Sequence, residues 1–163
     1  MMSLRWSLTF AFAAAGAVIY PRVAAAQVHG HQASESTTTS IDERLLVSFP
    51  EPMRLRTISN MRDHLAALQE IDDALSRNDF DRASSVAEQR LGLSSLESHG
   101  AAHMAPLMPQ GMQDIGSAMH RSASRFAVAA QSASVSNDVR PALAALSSVM
   151  QQCVACHAAY RLR

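Results

Sequence analysis

The chain has 163 residues, and its 14 basic side chains balance 14 acidic ones. That length allows one small domain around one core. The arginines are scattered rather than gathered into a basic stripe, which leaves no footing for nucleic-acid binding.

At the N-terminus, Arg5 gives a positive start, Trp6 to Tyr20 an apolar run, and Ala24-Ala25-Ala26 a small-residue site before Gln27. This pattern predicts a secretory signal peptide at 1–26, cut after Ala26. An uncleaved anchor is the other reading, but the apolar run is short for a span and Pro21 with Arg22 closes it. Cleavage removes Arg5 and Arg22 and no acidic residue, so the mature chain is slightly acidic. It is expected in the periplasm, free of the membrane. A disordered leader is expected over 27–49, because the Ser/Thr-rich stretch from Val28 to Ser40 has too little apolar content to fold alone. His29 and His31 within it could catch a metal, though a solvated tail is the plainer reading.

Residues 50–163 carry helical periodicity. Pro50 and Pro52 suit a helix start, and Ile58, Met61, Leu65, Leu68, Ile71 and Leu75 recur at threes and fours, which predicts a first helix over about 51–77. Asn78-Asp79 ends it and caps a second, expected from Phe80 to about Gly100 with Ala83, Val86, Ala87 and Leu91 inward. Two prolines and Gly111 mark a connection from Ala105. A third helix is expected from about Met112 to Ser134, with Ile115, Met119 and Phe126 on its stripe. A fourth follows, capped by Asn137 or Asp138, with Pro141 in its first turn. Its predicted seam is Val139, Leu143, Leu146, Met150, Cys153, His157 and Tyr160. No segment shows strand alternation. The fold class is therefore all-α, an antiparallel four-helix bundle.

Near the C-terminus stands Cys153-Val154-Ala155-Cys156-His157, the C-x-x-C-H pattern of c-type haem attachment. On a helix, thiols three positions apart share a face and can reach both vinyl groups of one porphyrin. His157 follows in the same turn and can ligate the iron. A disulfide or redox pair is disfavoured, because a thioredoxin-like C-x-x-C belongs to a βαβ context that this chain lacks. One covalent haem c on the last helix is expected. Export and haem attachment support one another.

Cys153, Cys156, His157, Tyr160 and Arg161 give the ending C-x-x-C-H-x-x-Y-R, and with it the chain resembles the class II c-type cytochromes, the cytochrome c′ family. Leu107-Met108-Pro109-Gln110-Gly111 is similar to that family's connection before its third helix. The likeness covers about residues 50–163. It implies haem near the C-terminus of a four-helix bundle, Arg161 beside the proximal pocket, and pairing of two copies through the first two helices, so a homodimer is expected by resemblance alone. The family places an arginine four residues before its distal residue; here Arg56 precedes Met61 by five.

What faces His157 across the iron decides the function. Met61, on the first helix, resembles the position from which low-spin relatives supply a methionine, and a Met/His pair suits electron transfer. His64 could serve instead, and Met53 lies close to the helix start. Arg56 and Arg54 could pair with haem propionates. Tyr160 reads as a core aromatic. The expected function is a periplasmic one-electron carrier that meets redox partner proteins and turns over no substrate. The first alternative is a five-coordinate haem protein binding NO or CO as a diatomic gas ligand. A further alternative is a copper-handling protein using His99, His103, Met104, Met108, Met112, Met119 and His120, because thioethers favour Cu(I).

Overall fold

The computed structural model describes residues 42–163. The predicted signal peptide, its cleavage site, His29 and His31 lie outside these residues. Within them the chain is predominantly helical, in the order β1 (Leu45–Val47), α1 (Glu51–Ser76), α2 (Phe80–Arg90), α3 (Ala101–Met104), α4 (Gln110–Ser136), α5 (Arg140–Ala159) and β2 (Tyr160–Leu162).

Proline punctuation sets the helix starts. Pro50 and Pro109 each stand extended directly before α1 and α4, and Pro52 and Pro141 fall in first turns, where a missing N–H costs little. Asn78 adopts φ 58° after α1, a left-handed conformation that asparagine tolerates. Asp79 then caps α2, its carboxylate accepting the Arg82 N–H at 3.1 Å. Asp79→Ala is expected to lower stability by about 1 kcal/mol, read as a drop in the urea midpoint with an unchanged slope.

Helix α2 ends at Arg90, ten residues before the predicted end. The N–H groups of Leu91 and Gly92 both turn back to the Ala87 carbonyl, at 2.9 and 2.7 Å, and the Glu88 carboxylate takes the Ser94 N–H and hydroxyl at 3.1 and 2.6 Å. A Cβ at Gly92 would lie 2.8 Å from the Glu88 backbone, so this tight exit requires glycine. Residues 91–108 form two 3₁₀ turns and the four-residue α3 instead of a continued helix. Asn137, proposed as a cap of the last helix, closes α4 instead, at φ 55° with its N–H on the Ala133 carbonyl at 2.8 Å. Asp138 takes the Arg140 N–H at 3.1 Å.

Helix α4 packs against both α2 and α5, and α1 packs against α2. The core between them contains Ile71, Leu75, Phe80, Val86, Leu91, Phe126, Leu146 and Val149 among many alanines. Arg90 of α2 ties to α1 through Asp63 and Glu70, and Arg82 also pairs with Glu70. These are partly exposed pairs that set helix register more than stability.

Two predicted seams are rotated. On α5 the buried line is Ala142, Leu146 and Val149, continued by half-buried Cys153 and Cys156, while Leu143 and Met150 are 47% and 44% exposed. The alanine-lined face of α4 accepts small side chains closely, so Ala142 outcompetes its larger neighbour. Over α1 as far as Ala67 the buried residues are Thr57, His64 and Ala67, while Met61 and Leu65 are 38% and 70% exposed.

The absence of strands and the unstructured leader up to residue 49 are corrected at one place. Leu45–Val47 pairs in parallel with Tyr160–Leu162, with Leu45 opposite Tyr160 and Val47 opposite Leu162. Val47 and Phe49 bury their apolar side chains with Met104 and Met112, which gives this segment the hydrophobic return that the preceding Ser/Thr-rich stretch lacks. Met53, Met108, Cys156, Tyr160 and Leu162 flank this second cluster.

Candidate functional site

The last turns of α5 bring Cys153, Cys156 and His157 to two adjoining cavities, of about 850 and 730 Å³ including space open to solvent. Six residues line both: Met61 and His64 of α1, Gly116 and Met119 of α4, and Cys156 and His157 of α5. Cys153, Leu65 and Leu68 line one of them. Met61 and Leu65, the apolar residues displaced from the predicted seam of α1, are thus cavity walls. So is the exposed imidazole of His157.

Several observations make these walls suitable for a flat apolar cofactor. A Cβ built on Gly116 meets no atom within 4 Å, so the face of α4 here fronts open space. Cys153 and Cys156 are free thiols, half-buried, and burial pushes both above the usual thiol range, so they are protonated at neutral pH. Helix α5 is long and apolar enough to cross a membrane by length and composition, yet it is little buried within the chain. Part of its apolar surface is cavity wall.

The arginines take other partners. Arg56 donates to the carbonyls of Ser98 and His99, at 2.9 and 3.3 Å, and lies outside the cavity lining. Arg54 pairs with Glu51 at 2.7 Å. Arg161 donates to the Arg44 carbonyl at 3.3 Å and lies 3.5 Å from the Asp42 carboxylate. Arg44 in turn reaches the His157 carbonyl at 3.3 Å. Arg161 thereby fastens the segment before β1 to the turn that carries His157. The Tyr160 hydroxyl is set so close to Gly111 that a Cβ there would lie 2.6 Å away.

Of the predicted Met/His cluster, His99, Met104, Met108, Met112, Met119 and His120 line the cavity that Tyr160 and Leu162 also border, whereas His103 is exposed and does not. His64 takes its place. The rings of His64, His99 and His120 meet pairwise, with centroids 4.8, 5.6 and 6.3 Å apart. Sequence reading placed His64 beside Met61 but gave no sign of its meeting His99, since that contact joins α1 to a turn more than thirty residues later.

No family model, curated protein or solved structure matches the chain.

Proposed function

We propose that the chain is a periplasmic monohaem c-type cytochrome, an antiparallel four-helix bundle carrying one covalent haem c on α5 and passing single electrons between redox partners. The observation that supports this best is the C-x-x-C-H run standing on the wall of a largely apolar cavity, with Met61 lining the same space. Cys153 and Cys156 would each add across one vinyl group, sulfur bonding one carbon and the thiol hydrogen going to the other. His157 would offer its imidazole as proximal ligand. When bound, the haem supplies a reversible one-electron couple. Met119, Leu65 and Leu68 would give the group apolar surroundings, and Met61 would offer it a thioether.

Acid-acetone extraction tests the attachment: the chromophore of the export-matured protein should stay with the polypeptide, and a colourless or extractable product would overturn the proposal. For the sixth ligand, the reduced protein should show sharp low-spin bands that broaden to a high-spin spectrum in Met61→Ala. A wild-type spectrum already high-spin would instead favour the five-coordinate, gas-binding alternative.

A further inference from the structure

Three imidazoles in mutual contact, two buried and one half-buried, with no carboxylate among the described residues hydrogen-bonded to any of them, call for a chemical reason. His64 comes from α1, His99 from the turn before α3, and His120 from α4. His64 and His120 are 8% and 9% exposed. Burial, with the neighbouring imidazoles, holds His64 down at about 4, and burial lowers His99 and His120 as well. All three rings are neutral at pH 7 and carry a lone pair.

The hydrogen bonds fix where two of those lone pairs are. His120 Nδ1 lies 2.8 Å from the Leu91 carbonyl and 3.2 Å from that of Gly92. A carbonyl only accepts, so Nδ1 bears the hydrogen and Nε2 the lone pair. Ser95 Oγ spends its single hydrogen on the Gly92 carbonyl at 2.7 Å, so its contact with His99 Nδ1 at 3.4 Å is one in which the imidazole donates. His99 Nε2 is then also bare. On His64, Nε2 is buried without any hydrogen-bond partner. An unpartnered buried nitrogen is destabilising, and a cation ligated there would offset that cost. The backbone reinforces the arrangement, because Arg56 and Asn60 of α1 both donate to the His99 carbonyl, at 3.3 and 3.1 Å.

We propose that His64, His99 and His120 form a binding site for a late first-row transition-metal ion of the copper or zinc type, on the wall of the cavity that all three line. Three imidazoles on one tetrahedral ion have ring centroids about 5 Å apart, given ligand bonds of about 2.0–2.1 Å. The observed 4.8, 5.6 and 6.3 Å bracket that spacing. Among the described residues no three His, Cys, Asp or Glu side chains stand close enough to hold an ion in place. Binding therefore includes a turn of the rings onto the point between them. The Nδ1 bonds of His120 and His99 act as the outer contacts that orient metal-bound histidines. Met104, Met112 and Met119 line the same cavity and supply the soft surroundings that suit Cu(I). The site does not depend on a porphyrin being attached to α5.

The test is a titration of the mature full chain with Zn(II) and, under reducing conditions, Cu(I), each against a competing chelator. The two cysteines are alkylated wherever they are free. One equivalent of either ion should bind, with X-ray absorption showing imidazole nitrogen around it. His64→Gln and the less buried His99→Gln should each weaken binding at least about tenfold while keeping wild-type helicity. Three outcomes would overturn the site: neither ion binds; the affinity is untouched by both substitutions; or His64→Gln abolishes low-spin haem bands, showing that this imidazole is spent on iron.

Discussion

Replacing both cysteines, Cys153→Ala with Cys156→Ala, is expected to abolish covalent haem entirely and leave a mature protein that gives no haem stain on a denaturing gel. The single variants should keep one thioether each, stain more weakly, and show a red-shifted reduced band because one vinyl group stays unsaturated. The folded helices should survive. Neither cysteine belongs to the fully buried core, and each substitution removes one sulfur from a half-buried cavity wall. Loss of stain with retained helicity separates loss of attachment from loss of fold. Full staining in the double variant would sink the proposal that these thiols hold the group.

Phe126→Ala should cost about 3–5 kcal/mol, the largest stability effect of any single substitution considered. Phe126 is 0% exposed and belongs to the core that α4 shares with α2 and α5. Its neighbours Ala123, Ala127 and Ala130 on the same helix are small and cannot extend into the space that a lost ring leaves. The transfer term and the cavity term therefore both apply. Urea unfolding followed by far-UV circular dichroism should show the midpoint falling steeply, and Phe126→Leu should recover a good part of it. A loss below about 1 kcal/mol would mean that the core collapses around the gap, contrary to its packing.

Much of the helical layout was legible because its signals are local. Pro50, Pro52, Asn78 and Asp79 bracket α1 so tightly that the expected range of 51–77 differs from the observed one by a single residue. Ala83, Val86, Ala87 and Leu91 are all buried where α2 periodicity put them. The early end of α2 was less legible, since it depends on Glu88 reaching forward to Ser94, a side-chain event without periodicity. Strand pairing between residues 45–47 and 160–162 was out of reach for the same kind of reason. Three residues show no alternation, and the partner lies at the far end of the chain.

The predicted seams fail where the larger side chain is not the buried one. Leu143 and Met150 are larger than Ala142 and Val149, yet the smaller pair packs inward. The candidate site follows the same division. Cys153, Cys156 and His157 could be read from spacing alone, and Met61 and His64 do line the cavities with them. The contacts of Arg56 with the Ser98 and His99 carbonyls were not legible, because these are backbone atoms of a distant turn that no spacing in the sequence marks.

The parallel pairing of β1 with β2 joins the two ends of the described chain, and the Arg163 N–H extends it to the Val47 carbonyl at 3.2 Å. During synthesis, the segment around Val47 must wait for more than a hundred further residues before its partner exists. Closure is then a late, long-range step, and until it happens the Cys-x-x-Cys-His turn is free at its C-terminal side. Once the ends zip together, Asp42 and Arg44 are held against the end of α5, so a force on them is felt first at the turn bearing His157.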